Sequence, residues 1–187
     1  MSDLHDETSA IDAFRNGDLR GFEWLSTRYM REAVIVARGF LKVRADAEDI
    51  AQEALVRAWG RREQFRTGER FGPWLHRIVT NLALDLLKHR RRIREEEIEV
   101  TMPAAAHLQP EQVAEGRQIA RRIGQALDAL PPMQRAVASL FLVEGFEHAE
   151  IAQMLSLSDG TVRSHLSLAR KRLRELLHEF AENVHDG

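Results

Sequence analysis

Between Arg163 and Arg174 the sequence carries five cations, Arg163, Arg170, Lys171, Arg172 and Arg174, and no acid across twelve residues. A one-signed run of this kind suits phosphate neutralisation, whereas a merely solvated helix mixes signs so that i,i+4 ion pairs form. Lys88, Arg90, Arg91, Arg92 and Arg94 make a second basic cluster. Covalent chemistry has no comparable set of residues. There is no glycine-rich phosphate loop, no His-Glu-x-x-His and no nucleophile motif. The eight histidines are dispersed, and His148, between Glu147 and Glu150, reads as a surface histidine. With no cysteine, disulfides and thiolate metal sites are excluded. The expectation is a binding protein with no catalytic residue, no metal and no cofactor.

The net charge of the 187-residue chain is −2. Counterion release supplies much of the affinity of a self-sufficient DNA binder, which usually shows a clear basic excess. Two local basic patches on an otherwise acidic chain therefore predict DNA contact at two places, with a further partner supplying the remaining affinity. No apolar run is long enough to cross a bilayer, and the acidic N-terminus lacks the order of a signal peptide, so membrane insertion is not expected and a cytoplasmic location is.

The elements that must position these residues read as helices throughout. Apolar residues recur at three- and four-residue spacing, with Gly and Pro between segments, which predicts an all-α fold. Helices are expected at about 8–16, 18–43, 46–62, 72–92, 111–129, 132–144, 148–155 and 159–181. Asp18 and Asp46 are the expected N-caps of two of them, and Pro73 and Pro132 suit first turns. The acidic, proline-containing stretch from Arg94 breaks the periodicity, although 94–100 could extend the preceding helix. The chain divides into two small helical domains, 1–93 and 113–187, joined by a flexible acidic linker, 94–112.

The C-terminal domain has the layout of a helix-turn-helix. A short helix with Ile151, Ala152 and Leu155 inward is followed by Ser156-Leu157-Ser158, and a long helix starts near Asp159 with Ser158 as N-cap. At about 100° per residue, Val162, Leu166, Ala169 and Leu173 form its core stripe. Opposite lie Gly160, Ser164, Ser167 and Lys171, flanked by Arg163 and Arg174. Short hydrogen-bonding side chains near the N-terminus with cations around them suit base edges and phosphates respectively.

The segments Gly160-Thr161-Val162-Arg163-Ser164 and Ala169-Arg170-Lys171-Arg172-Leu173-Arg174, preceded by Leu130-Pro131-Pro132-Met133-Gln134-Arg135 and Glu150-Ile151-Ala152, closely resemble region 4 of the extracytoplasmic-function (ECF) bacterial sigma factors. Asp46 to Glu53 is similar to the polymerase-docking segment of region 2. Phe71 to Asn81, running on to Asp85 and the basic cluster, is similar to its −10 reader. The resemblance covers about 10–92 and 115–178 in the expected order. It implies a sigma factor that docks on core RNA polymerase, through the β′ clamp helices and the β flap, and directs promoter-specific initiation. An anti-sigma factor is a further implied partner.

On this resemblance Gly160, Thr161, Arg163, Ser164, Ser167, Arg170, Lys171 and Arg174 read the −35 element. Arg77, Asn81, Lys88, Arg91 and Arg92 serve the −10 element, with Asn81 the leading base contact and Asp85 an orienting group. Asp49, Gln52, Glu53 and Val56, opposite the inward face of Ala47, Ile50, Ala51, Ala54 and Ala58, form the polymerase-docking surface. The family implies a pocket for an extruded base in the loop from about Gln64 to Arg70, while Phe71 and Trp74 read as core. Glu95, Glu96, Glu97 and Glu99 suit either a polymerase channel or a solubilising spacer. Two departures stand out: His165 and Leu168 occupy positions where the family often has Arg. The competing reading is a helix-turn-helix regulator that acts without polymerase docking; it leaves the second basic patch and the ordered N-terminal motifs unexplained.

Overall fold

The computed structural model describes residues 6–66, 68–98 and 115–182, and these are helical apart from short connections. The first unit holds α1 (Glu7–Arg15), α2 (Leu19–Phe40), α3 (Arg44–Gly60), a single 3-10 turn (Arg62–Gln64) and α4 (Phe71–Ile98). The second holds α5 (Glu115–Asp128), α6 (Pro132–Leu142), α7 (His148–Leu155) and α8 (Asp159–Glu182). α4 continues past residue 93, taking the longer of the two courses the sequence left open. The rest of the expected linker lies outside the described residues.

Local chemistry explains most of the helix starts. The Asp6 carboxylate accepts from the Ser9 N–H at 2.7 Å, and Asp18 accepts from the Arg20 N–H at 2.9 Å, each satisfying an orphan donor of a first turn. Pro132 opens α6 at the position where a missing N–H costs nothing. Asp46 is not the expected N-cap. α3 begins two residues earlier, behind Val43, and Asp46 is instead held by both guanidinium nitrogens of Arg90, at 2.6 and 2.9 Å. A bidentate pair to a neighbouring helix outcompetes a single capping bond.

The first unit is built around aromatic side chains. Phe14 lies within 5.3 to 6.5 Å, centroid to centroid, of Phe22, Trp59, Phe65, Phe71 and Trp74. α1 can approach α2 closely because Gly21 has no Cβ; one added there would sit 2.4 Å from the Phe14 nitrogen. The second unit has an aliphatic core: Val137, Leu140, Ile151 and Val162, with Ala126 of α5 packed in a smaller cluster with Ala138, Ala169 and Leu173.

The two units share one packed seam, with α2 against α6 and α4 against α7. At the α2–α6 crossing Gly39 lies so close to Ala136 that a Cβ would stand 3.2 Å from its Cα. The buried Arg135 side chain donates from Nε to the Gly39 carbonyl at 3.2 Å, satisfying an acceptor near the end of α2. Lys42–Asp128 and Arg38–Glu144 ion pairs, at 3.7 and 3.9 Å, flank the crossing. Arg70 reaches the Gln153 side chain of α7 at 3.0 Å.

Candidate nucleic-acid and polymerase interfaces

The turn between α7 and α8 is set by a few hydrogen bonds. Ser156 takes the left-handed conformation, φ 54°, and the Leu157 N–H returns to the Ala152 carbonyl at 2.9 Å, closing α7. Ser158 then caps α8, accepting from the Thr161 N–H at 3.1 Å. Val162, Leu166, Ala169 and Leu173 are all buried, so the core stripe expected for this helix is the one it uses. Ile151 and Leu155 of α7 are buried as expected, Ala152 is half-buried, and Met154 joins them.

With that stripe fixed, Gly160, Arg163, Ser164, Ser167, Arg170, Lys171 and Arg174 are exposed on the outer side of α8. Thr161 is different: half-buried, its hydroxyl lies 2.8 Å from the Ser158 hydroxyl, so it helps build the cap. Arg163 pairs with Asp159 one turn earlier at 2.6 Å. Leu168 projects outward, 53% exposed, whereas His165 is half-buried with an unpartnered Nδ1. The two departures from the family pattern therefore sit in different environments.

On α4 the expected apolar stripe is inward, with Phe71, Trp74, Ile78 and Leu82 buried and Leu86 half-buried. Arg77, Asn81, Lys88, Arg91 and Arg92 are all exposed. Arg90, the remaining member of the cluster on this turn, is neutralised by Asp46, whose carboxyl it holds below the usual aspartate range. Arg77 lies 3.8 Å from Glu69, and Asp85 lies 3.6 Å from the Lys88 amine.

Asn81, Asp85 and Lys88 line a surface cleft between α3 and α4, of about 260 Å³, that also includes Arg57 and Arg61. The sequence reading missed these two arginines. Their signal was the i,i+4 spacing of two cations following the acidic stretch of α3. In the loop before α4, Phe65 is buried against Trp74 at 5.1 Å, and so is part of the core.

The α3 face has its apolar side inward, Ala47, Ala51, Ala54 and Ala58 being fully buried and Ile50 half-buried. Asp49, Gln52, Glu53 and Val56 are exposed, Val56 at 66%. The Glu53 carboxylate accepts from Arg57 Nε at 2.8 Å. One ion pair thus joins the acidic face to the cleft beside Asn81.

A second missed feature is His76, 3% exposed where α4 meets α2 and α7. Neither ring nitrogen has a hydrogen-bond partner, and the nearest carboxylate oxygen, Glu32 Oε2, is 3.5 Å away. Burial pushes the imidazole down to about 4, so it is neutral at pH 7. Among the described residues no cluster of potential ligands could hold a metal ion, and no helix is long and apolar enough to cross a membrane.

Comparison with known proteins matches two family models to two separate spans of the chain. The family model for Sigma-70 region 2 matches residues 25–93, and that for Sigma-70 region 4 matches residues 120–173. The ECF RNA polymerase sigma factor SigE of Mycolicibacterium smegmatis is 38% identical over 134 residues, covering 71% of this chain and 52% of its own length. The chain thus spans about half the length of that relative. The ECF RNA polymerase sigma factor SigM of Mycobacterium tuberculosis is 32% identical over 175 residues, covering 92% of this chain and 86% of its own. Among solved structures, the sigma factor RpoE in complex with the anti-sigma factor NepR from Bartonella quintana superposes with a TM-score of 0.59 at 26% identity. That match covers 84% of this chain and 96% of RpoE.

Proposed function

This chain belongs to the ECF family of RNA polymerase sigma factors, and we propose on that premise that it binds core RNA polymerase and directs promoter-specific transcription initiation. In this reading residues 1–93 dock on the β′ clamp helices through Asp49, Gln52, Glu53 and Val56. The same domain reads and melts the −10 element with Arg77, Asn81, Lys88, Arg91 and Arg92. Residues 113–187 read the −35 element with Gly160, Arg163, Ser164, Ser167, Arg170, Lys171 and Arg174, Thr161 acting through the cap, and meet the β flap. The span 94–112 is the connection between them. The protein acts in the cytoplasm as an initiation factor without a catalytic step of its own, and an anti-sigma factor, like the NepR bound to RpoE, restrains it.

The observation that carries this reading is the coexistence of three separate exposed surfaces, two basic and one acidic, on a chain of net charge −2. A self-sufficient operator binder has no use for the acidic face and too little positive charge; a factor delivered to DNA by a larger partner needs both. Transcription with purified core polymerase on a panel of promoters tests it. Specific initiation that depends on this protein is the expected result. Tight operator binding by the protein alone, with no effect on core, would make it a regulator instead.

A further inference from the structure

Beside the recognition helix lies a cleft of about 450 Å³ lined by His148, Arg163, Leu166, Ser167, Arg170 and Arg174, with no acid among them. The lining comes from α7 and α8, and two of its residues meet a ring of α6. The Phe141 ring, in the last turn of α6, stacks on the imidazole of His148 with centroids 5.1 Å apart and planes 8° from parallel. The Arg170 guanidinium of α8 stands over the same ring, 5.2 Å from its centroid. His148 is also the first residue of α7.

We propose that Phe141, His148 and Arg170 form a pre-assembled clamp for one backbone phosphate of the −35 DNA. The proposal rests on the sigma-factor reading and adds Phe141 and His148 to the residues that serve it. A flexible arginine loses rotamer freedom when it grips a phosphate; one already seated on an aromatic face has given up that freedom before DNA arrives. The carboxylates nearby are each engaged elsewhere in a cap or an ion pair. Glu150 accepts from the Glu147 N–H at 2.8 Å in a capping box, Asp159 is held by Arg163 at 2.6 Å, and Glu175 pairs with Arg172 at 3.4 Å. Among the described residues Arg170 and Arg174 have no carboxylate partner, so the cleft keeps its positive charge for an incoming anion. The anion is a DNA phosphate because Ser167 and Arg174 belong both to the cleft and to the exposed recognition face. Phe141 is a positioning residue, and His148 and Arg170 touch the phosphate.

The experiment uses holoenzyme assembled from the full chain and core polymerase. Promoter fragments carry single neutral methylphosphonate linkages stepped through the −35 element. For the wild type, one linkage is expected to weaken binding about 3- to 10-fold more than its neighbours, the loss of one phosphate contact. In His148→Ala and Phe141→Leu that same linkage is expected to cost clearly less than in the wild type, and both variants lose affinity equally on matched and mismatched −35 sequences. Variant and linkage losses that multiply at every position would overturn the clamp. Thermal melting accompanies each variant; if Phe141→Leu melts early, His148→Ala alone decides. Inorganic phosphate that competes as well as DNA at millimolar levels would also overturn it, by making the cleft a free-anion site. Wild-type holoenzyme that initiates while the losses multiply removes the clamp only. A wild type unable to support initiation removes the sigma reading and the clamp together.

Discussion

α4 and α8 are both long helices that carry a basic stripe, yet they are buried in different ways. α8 fully buries a single stripe, Val162, Leu166, Ala169 and Leu173, with Thr161 and His165 half-buried beside it and its outer side exposed. α4 buries that much and more: Leu75, His76, Val79, Thr80 and Ala83 are covered as well, because α2, α3 and α7 all pack against it. Between Phe71 and Ala83 only Arg77 and Asn81 are exposed. α8 is thus a broad surface on a lightly built unit, while the outer side of α4 is a narrow ridge on a heavily packed one. Substitutions should be tolerated on the first wherever they miss DNA, and on the second only at a few positions.

The largest effect expected bears on the acidic face of the packed domain. Replacing Asp49 and Glu53 with lysine reverses the charge of the proposed docking surface and frees Arg57 from its carboxylate. Core binding is expected to fall by about a thousandfold, ~4 kcal/mol, the scale of losing paired charges at an interface. Both positions are exposed, so the melting temperature of the free protein stays close to wild type. Fluorescence anisotropy with labelled core polymerase checks the first expectation and differential scanning calorimetry the second. Undiminished core binding would move the docking surface elsewhere.

His76 supplies the next effect and distinguishes the two helices most directly. Its imidazole is held near 4 in the folded protein, against an ordinary value of 6.5. The unfolded chain therefore binds the extra proton first, and the stability that neutral His76 permits is intact above pH 6.5 and lost as pH falls towards 4. Over that window the loss is on the order of 3 kcal/mol. A surface cleft beside His76 carries the other charged groups near it, Glu7, Glu32, Glu150, Arg28 and Arg70, which come from both units. The Asp46–Arg90 pair fails only at lower pH, since its carboxyl is held below 3.8, so the two windows separate. Urea unfolding from pH 7 to 4 should show this slope in the wild type and a flatter one in His76→Gln. An identical slope in both would show that His76 is not desolvated.

How far the sequence disclosed this molecule follows from the same contrast. A helix with one buried stripe writes that stripe in its spacing, so α8, its N-cap Ser158 and its exposed cations were legible. The acidic outer side of α3 was legible because alanines at three- and four-residue spacing mark its inner side. α4 was legible on one side only. His76 and Thr80 look polar in a periodicity count, and nothing local says that helices distant in the chain, α7 in the case of His76, will cover them. Asp46 failed as a cap for a related reason: its partner Arg90 is 44 residues away. The seam itself, with Gly39 beneath Ala136 and Arg135 in the α2 terminus, has no periodic signature at all.

Base reading should be separable between the two helices, at smaller cost. Asn81→Ala removes a donor–acceptor side chain and is expected to cost about 1–3 kcal/mol of discrimination at the −10 element. Ser164→Ala removes one neutral hydrogen bond, about 1 kcal/mol at the −35 element. Holoenzyme binding to promoters with single base changes measures both. Each variant should relax its own element and leave the other unchanged. Relaxation of both elements by either variant would mean that the seam couples the two readers.

The smallest effect comes from the two positions of α8 that depart from the family pattern. Leu168 is 53% exposed, so Leu168→Arg adds a cation to open surface without disturbing the core. Stability should change by less than about 0.5 kcal/mol. The salt dependence of holoenzyme binding should steepen by about one phosphate contact, a several-fold gain in affinity at low salt. His165 is half-buried, so His165→Arg must carry its longer chain out past neighbouring atoms before the cation reaches water. It is expected to lower the melting temperature and to give less than half the gain in salt slope. Equal gains from both substitutions would mean that His165 faces the groove as freely as Leu168, and that α8 buries less of its surface than its single stripe implies.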